Sequence, residues 1–160
     1  MTVQKFAFSL VAIALFVGSM TAHADDFDVG AKAYLRGDYA TALRLFRQLA
    51  DQGYALAQNN LGVMYDKGRG VKQDYSEAVR WYRKAADQGI ARAQSNLGTM
   101  YHFGTGVKQD VVQAHMWYYL AAAQGNKLAR KFRDSLAEKM TPAQIAEAQR
   151  LARYWKLKEK

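Results

Sequence analysis

The chain has 160 residues, half of them hydrophobic, with no cysteine and a formal net charge of +9 at pH 7. The absence of cysteine excludes disulfide bridges, thiol catalysis and thiolate metal sites. This length and apolar fraction are enough to bury one continuous core.

Residues 1–24 have the pattern of an export signal. Lys5 precedes a largely apolar run over residues 6–20, which is too short to span a bilayer comfortably. Ala22-His23-Ala24 then fits the rule of small residues around a cleavage site. We therefore expect a signal peptide that is cleaved after Ala24, and a mature periplasmic or secreted chain that starts at Asp25. The alternative is an uncleaved anchor helix.

Residues 90–125 repeat residues 54–89, with 21 of the 36 aligned positions identical. The most recognisable repeated groups are Asn60-Leu61-Gly62 with Asn96-Leu97-Gly98, and Trp81-Tyr82 with Trp117-Tyr118. A fixed period of this size predicts an array of units that cannot bury their apolar faces alone. Arrays of this kind usually bind other proteins.

Each unit has the pattern of two helices. In the first unit, apolar and small residues recur with helical spacing around Leu61 and Gly62, and Gly68 predicts the end of that helix. Asp74 predicts the start of the second helix, with Glu77 completing a capping box. The predicted buried face of the second helix consists of Ala78, Trp81, Tyr82, Ala85 and Ala86.

The motif shared by the two units is A-x-A-Q-x-N-L-G-x-x-Y-x-x-G-x-G-V-x-x-D-x-x-x-A-x-x-W-Y-x-x-A-A-x-Q-G, which resembles the Sel-one-like repeat (SLR), a relative of the tetratricopeptide repeat. Residues 26–53 resemble a shorter tetratricopeptide-type N-terminal unit, and residues 126–160 resemble the capping helices of such arrays. The resemblance implies one all-α domain over residues 25–160. It implies a right-handed α-solenoid of antiparallel helix pairs, with about eight helices and a concave groove lined by the first helix of each pair. It also implies adaptor or scaffold work, often in bacterial envelopes.

The positions at which the first helices of the two repeats differ fall on one helical face, because they are spaced three, four and three residues apart. If these helices line the groove, this face is the candidate partner-binding strip. It consists of Leu56, Asn59, Val63 and Asp66 in one unit and Arg92, Ser95, Thr99 and His102 in the next. The alternative is that exposed positions have simply drifted.

The second helices differ in one direction, from a charged outer face to an apolar one. Ser76, Arg80, Arg83 and Lys84 correspond to Val112, Met116, Tyr119 and Leu120. An exposed apolar patch of this size is unusual on a soluble monomer, so we expect a cover. The predicted cover is the C-terminal cap, whose last helix starts at Thr141-Pro142; the alternatives are a partner and a second copy.

Positive charge is concentrated at the C-terminal end, where residues 126–160 hold 10 Lys or Arg and 4 Asp or Glu. This pattern fits either a solvated helix surface or a patch for an anionic partner, such as an acidic protein, lipid headgroups or cell-wall polymer. A nucleic-acid partner is not expected for an exported protein.

The sequence lacks recognisable catalytic or cofactor motifs. The two histidines of the predicted mature chain, His102 and His115, have no further His or Cys to complete a metal set. The glycine-rich loops lack the lysine and strand context of a phosphate-binding loop, and no acyl-transfer motif occurs. We therefore predict no enzyme activity, cofactor or metal.

The predicted function is an exported interaction module that binds a protein or peptide in its concave groove. The alternative is an envelope binder that uses the basic C-terminal surface, and the partner's identity and the oligomeric state stay open.

Overall fold

Eight helices follow one another in the part of the chain that the computed structural model describes, residues 24–158, and this part contains no strand. Residues 1–23, on which the predicted signal peptide falls, lie outside the described residues. The helices are α1 (24–35), α2 (Tyr39–Asp51), α3 (Ala55–Lys67), α4 (Tyr75–Asp87), α5 (Ala91–Phe103), α6 (Val111–Ala123), α7 (Lys127–Ala137) and α8 (Pro142–Lys158). Within the described range, no helix combines the length and the hydropathy that crossing a bilayer requires.

Each helix from α2 to α6 packs against the next helix of the chain, and α6 also packs against α8. The 13-residue α3 and α5 correspond one to one, as do the 13-residue α4 and α6. The fold is therefore an α-solenoid of antiparallel helix pairs, as the sequence predicted. Its core runs through the array as three adjoining apolar clusters rather than as one central mass.

The predicted buried face of the second helix is confirmed in α4. Its five members, Ala78, Trp81, Tyr82, Ala85 and Ala86, are all at most 5% exposed. They occupy one side of the helix, and the charged residues between them point to solvent. A helix with this amphipathic pattern buries its apolar side by packing against neighbouring helices of the array.

At the start of α4, the predicted N-cap forms but the predicted capping box does not. The Asp74 carboxylate accepts a hydrogen bond from the Glu77 backbone N–H at 3.0 Å, which is the expected N-cap. The Glu77 side chain does not return to the Asp74 backbone and pairs with Arg80 at 2.6 Å instead. The capping-box prediction for Glu77 was therefore wrong, because the Asp74 N–H already donates to the carbonyl of Tyr65 at 3.0 Å.

Glycine is required where the two helices of a pair cross. A Cβ atom added at Gly62 would lie 2.7 Å from the Tyr82 ring, and one added at Gly98 would lie 2.7 Å from the Tyr118 ring. The aromatic side chain of the second helix thus packs directly on the backbone of the first. This contact explains why Asn-Leu-Gly and Trp-Tyr recur together at the repeat period.

A glutamine clasp, defined here as the contact of Gln88 with Gln58 and Gly53, joins one unit to the next. The Gln88 side-chain amide donates to the Gln58 side-chain oxygen at 2.8 Å and to the Gly53 carbonyl at 3.1 Å. Gln58 is buried and donates in turn to the Ala50 carbonyl at 3.1 Å. The next unit repeats the clasp with Gln124, Gln94, Gly89 and Ala86.

The apolar outer face of α6 is covered by α8. Met116 and Leu120 belong to the same buried cluster as Ala148 and Ala152 of α8, and Trp155 packs against that cluster. The Trp155 ring meets the Trp117 ring edge to face at 6.0 Å. The cover that the sequence required is thus a segment of the same chain.

The turn before α8 contains the full capping box that α4 lacks. The Gln144 side chain accepts from the Thr141 backbone N–H at 2.9 Å, and the Thr141 hydroxyl accepts from the Gln144 N–H at 3.2 Å. This reciprocal pair fixes where α8 begins, and α8 then packs against α6.

Candidate functional site

The first helices of three successive units contribute to one pocket, which we call the groove pocket. It has a volume of about 220 Å³. Its lining consists of Ala31, Tyr34, Leu35, Phe46, Asn60, Val63 and Arg92. The walls are mainly apolar, and of the described residues in the lining only Arg92 carries a charge.

Two members of the predicted partner-binding strip, Val63 and Arg92, line this pocket. Leu56 is also exposed, whereas Asp66, Thr99 and His102 are half-buried. Arg92 has no ion-pair partner among the described residues, so its charge is available to a ligand.

Asn59 and Ser95 lie beneath this surface and are only 4% and 6% exposed. The Asn59 side-chain oxygen accepts from the Asn96 amide at 3.3 Å, which links α3 to α5. The Thr99 hydroxyl donates to the Ser95 carbonyl at 3.1 Å. In the structure these polar groups therefore support the groove wall, and their side chains do not project from it.

The last pair of the strip, Asp66 and His102, lies beside the buried tyrosines of the neighbouring second helices. Burial raises the pKa of Tyr82, and the nearby Asp66 carboxylate raises it further. In the next unit, Tyr118 donates to the Thr99 hydroxyl at 3.1 Å, and its ring meets His102 edge to face at 6.2 Å. The two units thus satisfy the equivalent tyrosine hydroxyl with different partners.

Burial lowers the pKa of His102, and the charge of Lys139 lowers it further, so both effects favour the neutral imidazole. Its ring stacks on Phe103 at 4.5 Å. Its Nδ1 atom is buried and has no hydrogen-bond partner among the described residues. His102 is therefore a packing residue of the groove wall more than an exposed ligand contact.

The most exposed apolar residue of the pocket, Leu35, was missed by the sequence analysis. Comparing residues 54–89 with residues 90–125 cannot reveal it, because it lies in the shorter N-terminal unit. Counting back from the glycine that ends each first helix would have found it. Leu35 precedes Gly37 by two residues, as Asp66 precedes Gly68 and His102 precedes Gly104.

The described residues contain no group of three or more His, Cys, Asp or Glu that could hold a metal ion. The groove pocket contains no nucleophile paired with a base, and its polar groups are one amide, one phenol and one guanidinium. This chemistry suits recognition by contact, in which apolar surface gives affinity and one cation gives orientation.

A sequence profile of the Sel1 repeat matches residues 27–54, 55–90 and 91–126. These boundaries are offset by one residue from the units defined above, since a tandem repeat has no unique starting point. No curated protein matches the chain.

Two solved structures share the fold. A protective antigen of uropathogenic Escherichia coli strains that displays an SLR fold is 34% identical, with a TM-score of 0.79 over 83% of this chain. A Sel1 repeat protein from Oxalobacter formigenes is 38% identical, with a TM-score of 0.66 over 69% of this chain. The chain spans 29% of the antigen and 45% of the Oxalobacter protein.

Proposed function

Because the chain belongs to the Sel1 repeat family, we propose that it is an exported adaptor that binds a protein or peptide through the groove pocket. Proteins of this family are generally scaffolds for protein–protein interaction, and their solenoid is typically not enzymatic. What the proposal adds is the export, the groove and the chemistry of the partner.

The observation that supports the groove most is Leu35, which is 83% exposed although it lines a pocket with apolar walls. Ala31, Tyr34, Phe46 and Val63 are the other apolar or aromatic residues of the lining, with Phe46 itself only 1% exposed. Burying one leucine-sized side chain against them is worth about 1.5–3 kcal/mol. The pocket therefore suits an apolar side chain of the partner.

Arg92 adds a preference for charge. It lies at the edge of the same pocket, and no carboxylate of the described residues pairs with it. A carboxylate of the partner could accept from its guanidinium in a bidentate fashion. The preferred ligand is thus a peptide in which an apolar residue lies close to an acidic residue or to a C-terminal carboxylate.

Selection from a displayed peptide library, followed by titration of the selected peptides, tests this assignment. We expect the peptides to combine an apolar and an acidic residue, and Leu35→Glu to weaken their binding by about tenfold or more. Leu128→Glu is the matched control, because Leu128 is also exposed, at 57%, but lies on α7 outside the pocket. Equal losses in the two variants, or none in Leu35→Glu, would remove the groove pocket from the proposal.

Export is proposed from the sequence pattern of residues 1–24. Determining the N-terminus of the protein in cells that make it tests this point. A chain that begins at Asp25 supports periplasmic or secreted localisation, whereas a chain recovered from membranes with residues 1–24 attached contradicts it.

The second candidate function is binding to anionic envelope components through α7 and α8. It is supported by the basic excess of residues 126–160. Salt separates the two candidates, because binding by exposed surface charge weakens steeply with ionic strength and binding in an apolar pocket weakens less.

A further inference from the structure

α7 and α8 pack on different sides of α6. α7 contacts the side that includes Ala114, Tyr118 and Ala121, which Ile145 in the first turn of α8 also contacts, while the later turns of α8 pack with Met116 and Leu120. A cleft of about 430 Å³ lies on α6 beside α7, and we call it the arginine cleft. Its lining consists of Tyr119, Ala122 and Ala123 of α6 and Arg130 and Arg133 of α7.

The charge around this cleft is mostly uncompensated. Arg130 has no ion-pair partner among the described residues. Arg133 is partly buried and pairs with the exposed carboxylate of Asp134 at 2.6 Å. On the other side, the Lys156 ammonium of α8 lies 5.7 Å from the centre of the Tyr119 ring. Two arginines and one carboxylate therefore lie at this cleft, and Lys156 lines the neighbouring pocket between α6 and α8.

A buried polar group lies close to the same charges. His115 is one helical turn before Tyr119 on α6, is 3% exposed, and has an Nδ1 atom with no hydrogen-bond partner among the described residues. Burial lowers its pKa, Arg133 lowers it further, and Asp134 acts in the opposite direction. His115 is thus close enough to the cleft to sense a change in its charge.

We propose that the arginine cleft is a binding site for a phosphate group. The planar guanidinium of arginine matches the oxygens of a phosphate in a bidentate arrangement. Arg130, which has no ion-pair partner among the described residues, can make this contact. Arg133 donates through its Nε and one terminal nitrogen to Asp134 and keeps its other terminal nitrogen for the same phosphate. Among the described residues, the lining of the cleft contains no carboxylate, and the carboxylate of Asp134 is paired with Arg133. The volume also leaves room for the molecule to which the phosphate is attached.

This site is independent of the groove pocket, since the two share no lining residue. The phosphate group belongs either to a small phosphate ester or to the headgroup of an anionic lipid. Both offer the same chemistry to Arg130 and Arg133, so the experiment has one arm for the group itself and one for its source.

The first arm is a titration of the protein with inorganic phosphate at constant ionic strength, followed by NMR of the histidine side chains. We expect a saturable shift of the His115 resonances and a higher pKa of His115 in the presence of phosphate, because a nearby anion favours the protonated imidazole. His102, which is close to Lys139 rather than to the cleft, is the internal reference and should not respond.

Arg130→Gln should weaken phosphate binding by about tenfold, since it removes a charged hydrogen-bond donor. Arg153→Gln is the matched control, because it removes an equal charge from an exposed position of α8 that is not part of the cleft lining. Equal weakening in the two variants, or a response to chloride as large as that to phosphate, would show diffuse charge and overturn the proposal. A glutamate-rich peptide that binds there more tightly than phosphate would overturn it as well.

The second arm measures binding to phosphatidylglycerol vesicles, with phosphatidylcholine vesicles as the neutral comparison. A larger loss for Arg130→Gln than for Arg153→Gln supports the site and assigns it to a lipid headgroup. Phosphate binding that depends on Arg130, together with vesicle binding that does not, supports the site and assigns it to a soluble phosphate ester.

Discussion

Replacing Met116 with lysine tests the docking of α8 on the third pair of helices. Met116 is 5% exposed and lies in the buried cluster that includes Ala148 and Ala152 of α8. The loss of a buried methionine side chain costs about 2–5 kcal/mol. The ammonium group must then either stay desolvated or push α8 away from α6. We expect Met116→Lys to lower the free energy of unfolding by about 3 kcal/mol or more, a large part of the ~5–15 kcal/mol typical of a domain.

The preceding repeat provides the matched control, since Arg80 occupies the position equivalent to Met116. The Arg80 side chain is 58% exposed and pairs with Glu77 at 2.6 Å. An exposed pair at this helical spacing contributes about 0.3–0.5 kcal/mol. Arg80→Met should therefore change the free energy of unfolding by less than about 1 kcal/mol.

Urea unfolding followed by circular dichroism gives the free energies of unfolding of both variants. The same measurement on a chain truncated after Met140 shows how much of the cost of Met116→Lys depends on α8. Without α8 the Met116 position faces solvent, so Met116→Lys should cost much less in the truncated chain than in the full chain. The truncated chain itself should melt at a lower temperature and aggregate more readily. A full cost for Met116→Lys in the truncated chain, or a truncated chain that is as stable as the parent, would refute the docking argument.

Three further predictions concern the loops, the clasps and the pH dependence. Gly106 has a φ of 69°, and a Cβ atom there would clash with the Tyr75 carbonyl oxygen. Gly106→Val should therefore lower the free energy of unfolding by more than about 1 kcal/mol, which urea titration measures. Gln94→Leu should cost about 1 kcal/mol in the same assay, because it removes the hydrogen bonds of Gln94 to the Ala86 carbonyl and from the Gln124 amide, while the Ala86 carbonyl keeps the Gly89 N–H. Burial lowers the pKa of His115 below its ordinary 6.5, so the unfolded chain binds the proton first as the pH falls. The free energy of unfolding should therefore decrease when the pH falls below that value. His115→Gln should make the decrease between pH 7.5 and pH 5.5 smaller in unfolding experiments. An unchanged decrease in this variant would contradict the prediction and would assign the pH dependence to His102.

The sequence predicted the helices well because their packing recurs at the repeat period. The contact of Gly62 with Tyr82 and that of Gly98 with Tyr118 require the same residue types in the same places, so the alignment of two units reveals them. The change from Arg80 to Met116 at the equivalent position likewise predicted a covering segment, because an apolar residue on an outer face needs a cover. Both features depend on which residue types occupy equivalent positions of the repeat, and the sequence shows these directly.

The candidate site was less predictable, since it depends on how neighbouring units overlap. Asn59 and Ser95 share helical faces with Val63 and Arg92, but the structure buries the first two, with Asn59 bonded to Asn96 of α5, and leaves the others at the pocket. The crossing of successive helices decides this, and periodicity alone does not encode it. Leu35 was missed for a related reason, because the pocket draws on a unit whose length differs from the other two.

The glutamine clasp has a consequence for how a chain of this type can change its length. Each clasp spans two successive units, with Gln88 bonded to Gly53 and Gln124 bonded to Gly89, and both 36-residue units contain the residues that it uses. Duplication or deletion of one 36-residue period therefore restores the same donors and acceptors at the new junction. The array can grow or shrink in whole units without leaving a buried amide unpaired, and each added unit extends the surface formed by the first helices.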